Sequence, residues 1–265
     1  MGKALEVISG SASAPGATLT ALTMASGDSL TVRNFENGKA SLLTMWPTGK
    51  TTLGAFQVRS PRLHDNVRGI QIENPVTPNY SPLWSPYLQD LVAQDTLIAM
   101  ISGSAGAGEL MLASLLIYYD NLPGADAKLI TPEELKERGV DIMTCDNTLA
   151  LTTGPNYTGA QAINTTNDLM KANTDYALIG YECSVGLGAV GWRGTDTANM
   201  RVGGPGRIAA DFDTRDWFIK LSMLTGLPCI PVFNSANKSN TFVDGQQDEV
   251  AADSVITSHF VQLED

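Results

Sequence analysis

Short runs of alternating apolar and polar residues recur along most of the chain. Ser29–Arg33, Ala40–Trp46, Ala55–Arg59 and Gly69–Ile72 carry apolar residues at or near every second position, the spacing of half-buried strands. Thr96–Ile101 and Leu110–Tyr119 are more continuously apolar, which predicts strands covered on both faces. The glycine-rich Ser102–Gly108 between them reads as a flexible hairpin tip. In the later half, Ala177, Ile179, Tyr181, Cys183 and Val185 alternate with Leu178, Gly180, Glu182 and Ser184, and Val255–Leu263 ends the chain in the same manner.

Three helices carry start and stop signals. Ser85-Pro86 opens a predicted helix over Pro86–Gln94 whose Leu88, Leu91 and Val92 share a face. Asp213 or Thr214 caps a second over Arg215–Thr225, with Trp217, Leu221 and Leu224 on one stripe and Gly226 then Pro228 as its stop. Thr131–Gly139 is the third; its acidic start and basic end suit the helix dipole, and its single Leu135 makes it a surface connector. The element order repeats. A strand with Trp46 leads through Arg59-Ser60-Pro61 to the first helix and two further strands. A strand ending at Trp192 leads through Gly203-Gly204-Pro205 to the second helix and two further strands, Pro228–Asn234 and Val250–Leu263, joined by a polar loop. The pattern predicts a mainly β protein of two tandem antiparallel β-sandwiches, 1–127 and 128–265, each with a short helix before its last two strands and a connector helix at 131–139.

Composition narrows the function classes. Charged residues are 17% against a usual ~25%, and the chain of 265 residues holds 25 Gly and 13 Pro, which suits many short strands and fits a helical bundle badly. The net charge of −11 disfavours a dedicated nucleic-acid binder, which needs Lys and Arg to displace phosphate counterions. Arg33 to Arg68 holds six of the 17 basic residues and Asp244 to Asp265 carries only acidic charge; both read as solvated loops. Cys145, Cys183 and Cys229 are odd in number and far apart, so neither a disulfide framework nor a zinc site is expected. No signal-like segment and no apolar run of ~20 residues is present. Met1-Gly2 opens like a myristoylation start but Glu6 stands where Ser or Thr is wanted. Synthesis in a reducing cytoplasm is expected. The sequons at Asn79, Asn156, Asn164 and Asn237 are those expected by chance in an Asn- and Thr-rich chain.

The motifs that could carry chemistry do not hold together. Gly186-Leu-Gly188-Ala-Val-Gly191 matches a dinucleotide-binding pattern, but Trp192-Arg-Gly194-Thr-Asp196 follows where a helix is required; a glycine-bent strand is the expectation. Pro47–Thr51 is similar to a phosphate loop but lacks its first glycine, with Thr44 in that place, and reads as a hairpin turn. His64 and His259 are the only histidines, no Gly-x-Ser-x-Gly elbow occurs, and both read as structural. The carboxylates at Asp211, Asp213 and Asp216 and at Asp244, Asp248 and Glu249 lack EF-hand spacing, and Asp213 is better explained as a helix cap. Trp46, Trp84 and Trp192 could stack a sugar, but core or interface is the better reading. No catalytic, cofactor-binding or metal-binding residue is therefore assigned.

This order of elements, a helix at Pro86–Gln94 and at Arg215–Thr225 each followed by the last two strands of a repeat, resembles the double jelly-roll major capsid proteins of tailless icosahedral viruses. The nearest type is the compact, corticovirus-like one of membrane-containing bacteriophages. In that family each jelly roll has eight strands, and a helix commonly interrupts the connection between the fifth and sixth. The resemblance implies a structural virion protein without enzymatic activity. It would assemble as a homotrimer in which six jelly rolls make a pseudo-hexagonal block, and blocks would tile a capsid shell together with penton or membrane-linking proteins. No specific nucleic acid and no direct membrane insertion are implied. The alternative is a tandem β-sandwich that binds carbohydrate or another ligand, which would need exposed aromatics on one concave face.

Overall fold

The computed structural model describes residues 2–13, 15–48, 53–63, 67, 69–74, 88–103, 110–163, 169–206, 213–247 and 253–264. In the first half the strands are β1 (Gly2–Ser13), β2 (Gly16–Ala21), β3 (Thr23–Met24), β4 (Lys39–Pro47), β5 (Gly54–Arg59), β6 (Ile70–Asn74), β7 (Gln89–Leu91), β8 (Ile98–Gly103) and β9 (Leu110–Leu122). The second half begins with β10 (Leu129–Ile130) and helix α1 (Pro132–Arg138), then β11 (Gly139–Ala150), β12 (Thr158–Ala162), β13 (Asp175–Cys183), β14 (Ala189–Arg193) and β15 (Val202–Gly204). Helix α2 (Trp217–Thr225), β16 (Ile230–Asn234), β17 (Phe242–Gln246) and β18 (Asp253–Leu263) complete it.

The protein is mainly β, with its strands in four antiparallel sheets, and each sheet draws its strands from one half: β3-β1-β9-β4-β7 and β2-β8-β5-β6, then β10-β16-β13-β18-β11 and β12-β17-β14-β15. Setting aside the two-residue strands β3 and β10, each half has eight among the described residues. Counted in chain order, both halves use the same arrangement, one sheet in the order 1-8-3-6 and the other in the order 2-7-4-5. Long antiparallel ladders dominate: β9 pairs with β1 from Gly2↔Leu122 to Ser13↔Leu110, and β18 pairs with β11 from Gly139↔Leu263 to Ala150↔Asp253.

The continuously apolar run Leu110–Tyr119 is a strand buried on both faces, as its composition predicts. Met111, Ala113, Leu115, Ile117 and Tyr119 point into the first half's own core with Ala4, Ile8, Phe56 and Val58. Leu116 and Tyr118 point the other way and, with Leu5, Val7, Leu43 and Trp46, join the core of the second half. Period-two alternation disappears from the sequence because neither face meets water. Thr96–Ile101 was expected to be covered in the same way, but β8 keeps Ile98 and Met100 half exposed on one face.

Local signals decide several boundaries. Thr131 caps α1 by accepting from the Glu134 N–H at 3.2 Å, with Glu133 and Glu134 in the first turn and Lys136 and Arg138 in the last; a side-chain cap of this kind contributes about 1 kcal/mol. Gly226 ends α2 in the left-handed region, at φ 69°, which a side chain would disfavour. The helix starts at Trp217 rather than Arg215, its N-cap is Asp216 without a side-chain cap bond and not Asp213 or Thr214, and Leu224, expected on the buried stripe, is exposed.

Three expectations are corrected. The described part of the predicted Pro86–Gln94 helix is a short strand and a turn: Gln89–Leu91 pairs with Ala40–Leu42 at the edge of β4, a turn follows at 93–94, and residues 86–87 lie outside the described residues. Leu88, Leu91 and Val92 fit a helical stripe, but pairing with β4 satisfies the backbone and buries Leu91. The polar loop expected over Asn234–Gln247 is a 3₁₀ turn, Ser235–Asn240, followed by β17, which is buried along most of its length. Ser29–Arg33 makes only an isolated bridge, Thr31↔Thr96. At the predicted hairpin tip, Ser102 and Gly103 end β8, and residues 104–109 lie outside the described residues.

Candidate functional site

The chemistry-bearing residues that the fold brings together lie on the seam where β1 and the 24–33 segment meet the second half. The Val7 N–H donates to the Arg201 carbonyl at 2.9 Å, and the Ser26 N–H donates to Asn156 Oδ1 at 2.8 Å. Ser9 Oγ lies 2.7 Å from both Ser114 Oγ and Tyr157 Oη. The Trp46 Nε1–H donates to the Gly188 carbonyl at 2.9 Å, and its ring meets Trp217 edge-on at 6.2 Å. Gly188 also makes room for Leu112 of β9, whose Cδ1 would stand 2.3 Å from a Cβ at that position.

Arg201 is the centre of the seam. Its Nε and Nη2 donate to the two oxygens of Asp244 at 2.9 and 3.0 Å, a bidentate pair. Nη1 reaches Asp28 Oδ1 at 3.4 Å, and the guanidinium carbon lies 3.6 Å from the centre of the Tyr157 ring. Gly191 leaves room for the stem, because a Cβ there would stand 2.2 Å from Arg201 Cγ. Burial alone would lower the Arg201 pKa, but its bond to Asp244, with Tyr157 and Asp28 beside it, holds the guanidinium above its ordinary range. Burial also raises the Tyr157 phenol. Arg193 reaches Asp244 from the solvent side at 3.4 Å. On the first-half side, Arg33 Nε donates to both oxygens of Glu6, at 3.0 and 2.9 Å.

Asp28 has the weakest set of partners. Its Oδ2 accepts from the Ser9 N–H at 2.7 Å, and its other oxygen has only the long Arg201 contact. Burial, the largest influence, pushes its carboxyl up to about 6; the Ser9 bond and Arg201 oppose this, while Glu6 and Asp244 add to it.

The residues weighed in the sequence fall elsewhere or serve packing. Trp46 and Trp192 are fully buried, and the Trp192 Nε1–H donates to Ser258 Oγ; Trp84 lies outside the described residues. Gly186–Gly191 leads into β14, and a single 3₁₀ turn, Thr195–Thr197, follows it in place of an α-helix. Pro47 ends β4, and residues 49–52 lie outside the described residues. His259 sits on β18 with Nε2 3.3 Å from Glu182 Oε2, and His64 is not among the described residues. Asp213 accepts from Arg215, which lowers its carboxyl to about 2. Asp211, Asp248 and Glu249 lie outside the described residues, while Asp244 belongs to the seam and not to an acidic tail. All three cysteines are buried, and burial raises the Cys229 thiol to about 12. Among the described residues no group of three His, Cys, Asp or Glu is placed to hold a metal, and no helix is long and apolar enough to cross a membrane.

The seam was missed in the sequence. Met200-Arg201-Val202 and Val243-Asp244-Gly245 each hold one charge among apolar neighbours, and a charge buried in that way needs a partner. That signal marks the residues but does not name the pairing.

No protein-family model and no curated protein matches the chain. Among solved structures, the crystal structure of PBSX exported protein XepA aligns over 97% of this chain and 86% of that one, at 8% identity and a TM-score of 0.26. A likeness of that size carries no argument about fold or function.

Proposed function

We propose that the chain is the major capsid protein of an icosahedral virus, a subunit that acts by self-assembly and not by catalysis. The observation that carries the reading is the strand order. The 1-8-3-6 and 2-7-4-5 sheets, present in both halves, support a reading of each half as an eight-stranded jelly roll, a fold used for viral capsid domains and for lectins. Two such rolls in one chain give three copies six rolls, enough to close a pseudo-hexagonal block. The buried seam supports the same reading, because a block whose corners come in pairs requires each pair to be rigid. In the second half α2 precedes three strands, β16, β17 and β18, and not the two expected; in the first half residues 75–87, between β6 and β7, lie outside the described residues, so the reading rests on strand order and not on paired helices. The carbohydrate-binding alternative loses two of its three tryptophans, Trp46 and Trp192, to the core.

Lateral contact requires apolar surface outside the core. Ile142 is 68% exposed and Val140 47% exposed on β11, the edge strand of its sheet, and Met223 on α2 is 70% exposed. Exposed apolar side chains beside the unpaired backbone of an edge strand are a template for association. Ile142→Asp is expected to leave the circular dichroism spectrum and melting temperature near wild type while lowering the particle size by light scattering at micromolar concentration. A wild-type chain that is monomeric by the same measurement, and that changes size on adding a glycan, would favour the ligand-binding reading.

A further inference from the structure

We propose that Asp28 is a proton-linked latch on the seam: the two halves close with a proton taken up at this carboxyl, and opening releases it. The geometry of the charges carries the proposal. Three carboxylates and three guanidiniums face one another here, but they are shared unequally. Arg33 is committed to Glu6 within the first half. Arg201 and Arg193 are committed to Asp244 within the second. The Asp28 side chain is 8% exposed, and has one backbone donor, Ser9 N–H, and the long 3.4 Å contact to Arg201. The groups that face it are Glu6 and Ser9 of β1, Arg33 of its own segment, and Tyr157, Arg193, Arg201 and Asp244 of the second half.

A carboxylate removed from water with so few donors is held more easily in its neutral form. Its contact with Arg201 crosses the seam, so closing the seam is what buries it. The direction of the linkage follows. The carboxyl is raised from 3.8 to about 6 in the closed state. The stability it lends is therefore fully present below the ordinary carboxylate range and is lost as pH rises through about 6. Acid tightens the seam, and neutral pH loosens it.

Hydrogen exchange of the seam amides reads this directly. The N–H groups of Val7 and Ser26 donate across the seam, to Arg201 and Asn156, so their protection reports opening. With intrinsic rates corrected, the open fraction of the wild-type seam is expected to rise roughly tenfold between pH 5 and pH 7.5, the change that two protonation constants about two units apart produce. Asp28→Asn, which keeps an acceptor for Ser9, should show little change between the two pH values and remain near the low-pH wild-type level. The proposal is overturned by a wild-type seam whose protection is the same at both pH values, or by an Asp28→Asn variant that keeps the wild-type dependence. It is also overturned if amides of β5 and β13 away from the seam follow the same curve, since global folding would then be the titrating event.

Discussion

Replacing Arg201 by Ala is expected to lower the unfolding free energy at pH 7 by about 3–5 kcal/mol, the range for breaking a buried ion pair by removing one partner. Asp244 would be left almost fully buried with only the half-exposed Arg193 beside it, and Asp28 would lose its contact across the seam. The stacking on Tyr157 would go as well, a loss of about 1–2 kcal/mol where the cation is desolvated. Arg201→Lys should fall between the two, because an ammonium is a point charge and cannot hold both oxygens of Asp244 in a fork. The deficit of Arg201→Ala should narrow below pH 6, where the Asp28 carboxyl is neutral and needs no cation. Urea denaturation at pH 5 and pH 7.5 measures both effects. A loss under 1 kcal/mol at pH 7 would mean that the seam does not depend on this residue.

Trp46→Ala is expected to cost a similar 3–5 kcal/mol, from lost burial and the cavity left behind. The indole is fully buried, meets Trp217 edge-on, and donates to the Gly188 carbonyl across the seam; the variant leaves that carbonyl without its donor. Trp192→Ala makes the informative comparison. Trp192 is buried against Tyr181 and Phe218 inside the second half alone, so its loss should cost as much without touching the seam. Exchange protection at Val7 and Ser26 should fall in Trp46→Ala at urea concentrations where the bulk of the structure is still folded, and should follow global unfolding in Trp192→Ala. Equal behaviour of the two variants would contradict the placement of Trp46 as the apolar anchor between the halves.

The sequence showed the parts of the fold that are written locally. Thr131, the two glutamates after Pro132 and the basic residues ending at Arg138 are all within one short segment, and α1 forms there. The stop at Gly226 is equally local. The unbroken apolar run of β9 was legible because burial on both faces removes the polar positions that alternation would otherwise require. Elements decided by distant partners were not legible. β17 reads as a polar loop because Asp244 and Gln246 are polar, yet both are buried: Asp244 holds Arg201, and Gln246 donates to the Pro155 carbonyl. Leu88, Leu91 and Val92 have helical spacing, and only the free edge of β4 makes Gln89–Leu91 a strand. The seam was hidden for the same reason. Asp28 and Arg201 are 173 positions apart, and Asn156 reads as a chance sequon until Ser26 is seen to donate to it. What a charge or amide pairs with is a property of the folded chain, whereas the need for a partner is visible in one residue's neighbours.

The trimer proposed for this chain is tested by the mass of the purified wild-type protein in sedimentation equilibrium at micromolar concentration. The expected result is a species of three times the 28.2 kDa chain mass, stable without ligand, that forms a six-cornered block in negative-stain images. A single species at 28.2 kDa that stays monomeric when mixed with the other components of its source would contradict it.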